Sequence, residues 1–276
     1  MKRTLNCRGT LVDLSSPKVM GIVNLTPDSF YEGSRIKSEK ELLIQVEKML
    51  LEGATFIDLG AYSSRPGAAG LSSEEEFDRL IPQIKSILKE FPDTILSVDT
   101  FRSEIADSAL TEGASMINDI SAGDADAKMF DCILKHQVPY ILMHMRGTAK
   151  TMTKLNQYQD LIADLIDDLQ AKIQQLKSRG LNDIIIDPGL GFAKNLEQSY
   201  QIVKQLKSFE ILDCPILIGA SRKSMIYKLL NCEAKEALNG TTVVNAISLM
   251  NGASILRVHD VKEAMEAIVI TTQIKL

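Results

Sequence analysis

Several common chemistries are absent from this 276-residue sequence. There is no Cys-x-x-Cys pair: Cys7, Cys132, Cys214 and Cys232 are far apart, which excludes a local zinc clip or dithiol redox motif and leaves them as reduced packing thiols. There is no His-Glu-x-x-His helix, no Gly-x-Ser-x-Gly elbow and no Walker A loop, so zinc hydrolysis, serine acyl transfer and P-loop phosphoryl transfer drop away. A basic block or tail is also missing, and the formal net charge of -5 argues against a protein held on nucleic acid by phosphate contacts. No apolar run approaches membrane-spanning length, and Met1-Lys2-Arg3 leads into a mixed polar segment, not the apolar core of a signal peptide. The expectation is a soluble, cytoplasmic protein with neither membrane nor nucleic acid as partner.

What is present is a core-forming chain, 45% hydrophobic, long enough for one large domain over residues 1–276. Thr4 to Leu14 reads as a hairpin turning at Arg8-Gly9 and placed to close one end of the domain. Strands are expected at Lys18–Val23, Ala54–Leu59, Thr94–Val98, Ser115–Ile120, Pro139–Met143, Asp183–Ile186, Pro215–Ile218 and Ser254–Val258. Between them, capping boxes at Ser38–Glu41 and Ser73–Glu76 start two helices. The first carries Leu42, Leu43, Val46, Met49 and Leu50 on one face up to Gly53; the second turns Phe77, Leu80, Ile81, Ile84, Ile87 and Leu88 inward. Further helical pieces span Arg102–Thr111, Ala125–Lys135, Tyr158–Lys177, Leu196–Leu206, Ser221–Leu230, Ala234–Met250 and Val261–Thr271.

A weak repeat supports the alternation: Glu52-Gly53-Ala54-Thr55, Glu112-Gly113-Ala114-Ser115 and Asn251-Gly252-Ala253-Ser254 each join a helix to a strand through glycine. Apolar strands buried on both faces and alternating with helices fit an α/β fold, a (β/α)8 TIM barrel with the N-terminal β-hairpin closing its bottom. A doubly wound open sheet is the alternative, but it would bind its ligand at one switch point, whereas here polar residues follow nearly every strand.

Those strand ends are Asn24, Asp58, Asp99, Asn118 with Asp119, His144, Asp187, Ser221 to Ser224, and Arg257 with His259. In a barrel they converge on one mouth. Asp187, ahead of Pro188-Gly189-Leu190-Gly191, has the chemistry to accept two parallel N–H bonds from an aminopyrimidinone edge, with Asp99 and Asn118 reading neighbouring donors and acceptors. Capping or turn bonding to backbone is the alternative for Asp99 and Asn118, and Thr100 and Asp260 read as caps. Arg257, on an otherwise apolar strand, with Arg65 and His259, forms a candidate set for an anionic group; Arg222 and Lys223 add positive charge beside a helix start. His136 and His144 read as structural.

Taken together, these motifs resemble those of the dihydropteroate synthase family. The resemblance runs from about Val19 to Val261 and rests on Gly21 to Phe30, Ser64-Arg65-Pro66-Gly67, Ser97-Val98-Asp99-Thr100, Ile117-Asn118-Asp119-Ile120, Met143-His144-Met145, Asp187-Pro188-Gly189-Leu190-Gly191-Phe192, Ser221-Arg222-Lys223-Ser224 and Arg257-Val258-His259-Asp260. It implies a transferase of folate synthesis that joins a pterin pyrophosphate to p-aminobenzoate, is the target of sulfonamides, and works as a homodimer, with later helices at the interface.

By the same resemblance, Asp99, Asn118, Asp187 and Lys223 bind the pterin edge, Ile120, Met143, Phe192 and Gly219 wall it, and Arg257 stacks on the ring. Asn24, Ser64, Arg65, Arg257 and His259 hold pyrophosphate, with Asn24 also on a magnesium ion, the implied cofactor. Phe30, Ser64, Pro66, Phe192, Lys223 and Ser224 hold p-aminobenzoate. Asp28, Arg65 and Lys223 carry catalysis, Asp28 from a flap spanning Thr26 to Phe30. One stretch departs from the family pattern: Ala61-Tyr62-Ser63-Ser64 stands where Gly-Glu-Ser-Thr is more usual. Two other readings share the pterin contacts, a methyl-transfer module and a non-catalytic paralogue. The methyl-transfer module does not need the loops around Asp28 and Arg65 or the Ser-Arg-Lys-Ser turn, and the altered Tyr62 loop is what keeps the paralogue in view.

Overall fold

A computed structural model describes residues 3–25, 38–62, 71–148 and 151–275. The chain opens with the expected hairpin, β1 (Thr4–Cys7) paired antiparallel to β2 (Thr10–Asp13). Arg8 and Gly9 turn it with positive φ angles of 53° and 94°, and Arg8 Nη1 donates to Leu110 O at 2.6 Å, pinning the turn beneath a helix of the barrel wall.

Eight parallel strands come next: β3 (Lys18–Asn24), β4 (Phe56–Gly60), β5 (Ile95–Asp99), β6 (Met116–Asp119), β7 (Tyr140–Met143), β8 (Ile184–Asp187), β9 (Leu217–Ile218) and β10 (Ile255–Val258). They hydrogen-bond in the order β8-β7-β6-β5-β4-β3-β10-β9, and a parallel bridge between Ile186 and Ile216 joins the two ends. Helices alternate with them: α1 (Glu39–Leu51), α2 (Ser73–Glu90), α3 (Ser103–Thr111), α4 (Met129–His136), α5 (Leu161–Ser178), α6 (Leu196–Lys204), α7 (Ser224–Tyr227), α8 (Leu238–Met250) and α9 (Val261–Lys275). This is the TIM barrel that the alternation implies.

Strand side chains alternate between two cores. Val19, Val23, Ile57, Leu59, Leu96, Val98, Ile117, Leu142, Ile184, Ile186, Leu256 and Val258 face outward into the helices. Met20, Phe56, Met116, Ile141, Ile185, Leu217 and Ile255 face inward at the bottom, where Leu5, Cys7, Val12 and Leu14 of the hairpin plug them. Two residues further along each strand, the next inward layer is Ile22, Asp58, Asn118, Met143, Asp187, Gly219 and Arg257. The period of two thus puts an apolar floor under a polar mouth.

Some local expectations shift. Ser72, not Ser73, caps α2, in a reciprocal box with Glu75. That frees Glu76, which is fully buried and takes Thr100 Oγ1 at 2.7 Å together with the Arg102 guanidinium. Phe77, expected inward, is 41% exposed. The fourth helix begins at Met129 and not at Ala125, because the Asp126 carboxylate turns the preceding segment, accepting from Lys128 N at 2.9 Å and from Ser103 N at 2.7 Å. The expected helix from Ser221 shortens to the single turn of α7, since Arg222 takes a φ of 52° that a helix cannot continue through.

Candidate active site

The mouth is organised around Arg257. Its position on β10 points it inward above Ile255, and opposing strands meet it with carboxylates: Nε donates to Asp58 Oδ2 at 2.6 Å and Nη2 to Asp99 Oδ2 at 2.7 Å. Asn118 Nδ2 donates to the same Asp58 oxygen at 3.0 Å. Asp58 Oδ1 is buried and has no hydrogen-bond partner among the described residues. Burial pushes the Asp99 carboxyl up to about 7, against the pull of Arg257 in the other direction. Burial also opposes the charge of Arg257, but Asp58 and Asp99 outweigh it and hold the guanidinium charged.

A second charged group lies beside this one. Asp187 is buried at the end of β8, its Oδ1 accepting from Gly189 N at 2.7 Å. Burial raises its pKa, and Lys223 and the Gly189 N–H work against that rise. Lys223 Nζ donates to Leu190 O at 2.8 Å and lies 4.8 Å from the centre of the Phe192 ring. Its own pKa falls to about 8, chiefly from burial. These groups meet beside Gly219: a methyl there would lie in ordinary van der Waals contact, 3.9 Å from Asp187 Oδ2, 3.9 Å from Lys223 Nζ and 4.0 Å from Arg257 Cβ. Met143 and Ile120 are buried beside them.

Asn24 ends β3, the neighbour of β10, and is half-buried. His259 follows β10 and takes Ser221 Oγ as acceptor for its backbone N–H at 3.2 Å. Burial, followed by the Arg257 charge, lowers its pKa to about 4, so the ring is neutral near pH 7. Ser224 opens α7 directly after Lys223. The structure thus gathers Asn24, Asp99, Asn118, Ile120, Met143, Asp187, Phe192, Gly219, Lys223, Ser224, Arg257 and His259 around one mouth. Asp28, Phe30, Ser64, Arg65 and Pro66 lie outside the described residues, as does the expected flap. Tyr62, where the sequence departs from the family pattern, packs edge-on against Phe101 with ring centres 5.0 Å apart.

Three polar groups expected near the mouth, and Asp260, expected as a cap, do other work. Asp119 has the opposite strand parity to Asn118 and points outward, accepting from Tyr140 OH at 2.6 Å, from Ser121 N at 2.7 Å and from Gly123 N at 2.9 Å. Arg222 is buried and forms a two-pronged pair with Asp260 at 2.8 and 2.9 Å, so it is a structural cation and not an anion ligand. Asp260 spends both carboxylate oxygens on that pair. His144 faces outward too and pairs with Asp168 at 3.1 Å, in keeping with its structural reading. The role of Asp58 as the anchor of Arg257 was legible only in its strand parity. Lys194, buried behind the loop that carries Phe192, has no local sequence signal at all.

Among the described residues Asp107, Cys132 and His136 lie close enough to share an ion, but they sit on α3 and α4, away from the mouth, and Asp107 Oδ1 already receives Lys135 at 2.7 Å. At the mouth, Asn24 at the end of β3 carries an amide oxygen, a hard donor of the kind that suits magnesium or calcium. The site therefore combines buried carboxylates for a planar donor edge, a rigid guanidinium and a neutral imidazole for an anion, and an ammonium over an aromatic ring.

Comparison with known proteins agrees with this arrangement. Residues 20–259 match the family described as pterin binding enzyme. Dihydropteroate synthase of Escherichia coli K12 is 40% identical over 265 residues, 95% of this chain and 93% of that protein. Among solved structures, the Yersinia pestis dihydropteroate synthase in complex with a sulfonamide drug superposes with a TM-score of 0.94 at 39% identity, covering 99% of both chains. The Xanthomonas albilineans dihydropteroate synthase in complex with 7,8-dihydropteroate superposes with a TM-score of 0.87 at 31% identity, over 99% of this chain and 98% of that one.

Proposed function

The chain belongs to the dihydropteroate synthase family of pterin-binding enzymes, and from that premise we propose how its barrel mouth performs the reaction. It condenses 6-hydroxymethyl-7,8-dihydropterin pyrophosphate with p-aminobenzoate, giving 7,8-dihydropteroate and pyrophosphate for folate synthesis. The observation that carries this reading is the convergence of Asp187, Lys223 and Arg257 on Gly219.

The pterin lies against Gly219, Met143 and Ile120. Asp187 accepts from its amino group and ring N–H, while Asn118 and Asp99 satisfy the remaining edge and Lys223 donates to its acceptors. Arg257, locked by Asp58 and Asp99, lays its plane on the ring and reaches the pyrophosphate. His259 donates as a neutral imidazole to the phosphate oxygens, and Arg65 and Ser64 add further contacts.

Asn24 would hold magnesium together with phosphate oxygens and waters, and magnesium when bound supplies charge neutralisation for the departing pyrophosphate. The bond from the pterin methylene carbon to the pyrophosphate oxygen breaks, the arylamine nitrogen of p-aminobenzoate forms a bond to that carbon, and the nitrogen then loses one proton to water or to the released pyrophosphate. The electron-rich pterin stabilises positive charge on the methylene, and the family resemblance gives Asp28 the task of stabilising the same charge. An arylamine is neutral at pH 7, so no strong base is required, in keeping with the lack of a nucleophile–base dyad among the described residues of the mouth. The p-aminobenzoate ring is assigned to Phe192, Pro66, Ser64 and the stem of Lys223, with Phe30 to shield it and its carboxylate at Ser224.

We further propose a homodimer in the cytoplasm. Val243, Ile247 and Met250 on α8 and Ile270 and Ile274 on α9, adjacent helices, form an exposed apolar face, the kind of patch that a second copy covers. Light scattering of wild type and Ile247→Glu tests it, with dimer and monomer masses expected respectively.

The synthase reading is tested by pyrophosphate release from purified protein. Release is expected only with pterin pyrophosphate, p-aminobenzoate and magnesium together, and Lys223→Ala is expected to lose most of it while keeping the far-ultraviolet circular dichroism of the fold. A protein that binds pterin and releases no pyrophosphate contradicts the reading.

A further inference from the structure

Lys194 is a buried lysine with no part in the condensation itself. It comes directly after the loop Pro188–Ala193 and is 8% exposed. Its ammonium donates to Phe192 O at 2.8 Å, to His144 Nδ1 at 2.9 Å and to His144 O at 3.2 Å, which accounts for its three hydrogens. No carboxylate among the described residues touches it, so it bears the cost of burying a charge without a direct counter-ion. Burial lowers its pKa to about 7.

The other end of this contact is fixed as firmly. Because His144 Nδ1 accepts from Lys194, Nε2 carries the proton and donates to Asp168 Oδ2 at 3.1 Å. The same oxygen takes Arg146 Nη2 at 3.1 Å. Arg146 lies 4.3 Å over the ring of Tyr158, whose hydroxyl donates to Ala193 O at 2.9 Å. The loop also lies hard against β7: at Gly189, with a φ of 73°, a methyl would sit 2.1 Å from His144 O.

Besides the Tyr158 contact at Ala193, two lysines hold this loop from opposite sides. Lys223 holds Leu190 O from the mouth, and Lys194 holds Phe192 O from behind. The Phe192 ring, 4.8 Å from Lys223 Nζ, is the surface between them. Without Lys194 the Phe192 carbonyl loses its side-chain donor, and the ring on the same residue loses a restraint that the bonds at Leu190 and Ala193 do not replace.

We propose that Lys194 is a positioning residue which, through His144 and Asp168, holds the Phe192 ring in place for the aromatic amine substrate. The proposal rests on the synthase reading. It assigns the Lys194 chain chiefly to the second substrate, because the hydrogen bonds to the pterin come from Asp99, Asn118, Asp187 and Lys223, and Phe192 gives the pterin only a wall.

The experiment is steady-state kinetics with each substrate varied in turn, on wild type, Lys194→Met and Asp168→Asn. Lys194→Met keeps the stem and removes the donors. The Michaelis constant for p-aminobenzoate is expected to rise about tenfold, with that for pterin pyrophosphate within about twofold. Asp168→Asn, at the solvent end of the chain, is expected to raise the p-aminobenzoate constant by about two- to threefold in the same selective way, and it decides the matter if Lys194→Met fails to fold. Equal rises for both substrates, or a fall in turnover with both constants unchanged, overturn the assignment and leave Lys194 as a structural staple. Wild type that shows no turnover in the same assay contradicts the synthase reading itself, which separates the two failures.

Discussion

Arg257 and Asp58 are 199 residues apart in the chain and 2.6 Å apart in the barrel mouth. The contact turns a flexible arginine into a fixed plane, because Asp58 takes Nε while Asp99 takes Nη2 at 2.7 Å. Removing one partner of a buried pair leaves the other charge uncompensated. Asp58→Asn is therefore expected to cost about 3 kcal/mol of stability by denaturant titration. It is also expected to weaken pyrophosphate binding, read by product inhibition, since Arg257 loses its orientation. An unchanged inhibition constant separates Asp58 from the anion site.

Asp99 makes pterin binding depend on pH in a definite direction. Burial raises its carboxyl to about 7, whereas its unfolded value is near 3.9. The folded chain binds the extra proton between these values, so the contribution of Asp99 to stability is fully present below about pH 4 and lost as pH rises through about 7. Ligand binding runs the other way, because the pterin edge needs the carboxylate. Fluorescence titration with a pterin is expected to show the dissociation constant rising as pH falls below about 7, and Asp99→Asn is expected to lose that inflection. Persistence of the same inflection in Asp99→Asn assigns it elsewhere.

The bottom of the barrel separates stability from catalysis. Leu5 of the hairpin is fully buried against the floor formed by Met20, Phe56, Met116 and Ile255. Leu5→Ala is expected to cost about 3 kcal/mol in denaturant while both Michaelis constants stay at wild-type values. A selective change in either constant would mean that the floor communicates with the mouth.

Much of this was legible in the sequence, and the reason is geometric. Eight apolar runs alternating with helices, nearly all followed by polar residues, fit a barrel whose mouth collects those ends, while Asn118 and Asp119, read together at the mouth, are separated only by the strand parity of the fold. What stayed hidden depends on partners supplied by distant segments. Glu76 reads as one more helix carboxylate until Arg102 and Thr100 meet it, and Arg222 reads as a site cation until Asp260 takes it. Lys194 comes after a glycine-rich loop like many surface lysines; only the fold brings His144 to it. Helix starts differ from the capping pattern where a neighbouring hydroxyl or carboxylate wins the backbone, as Ser72 does over Ser73 and Asp126 before α4.

The most direct measurement is pterin affinity in Asp187→Asn. Asn keeps the shape and still accepts from Gly189 N, but it presents an N–H₂ group or a single carbonyl where the pterin edge offers two donors. Calorimetric titration is expected to show binding about a hundredfold weaker, the loss of one charge-assisted pair of hydrogen bonds, in a protein whose far-ultraviolet circular dichroism shows it still folded. Wild-type affinity in a folded Asp187→Asn protein would contradict the placement of the pterin at the end of β8, and with it the reading of the mouth.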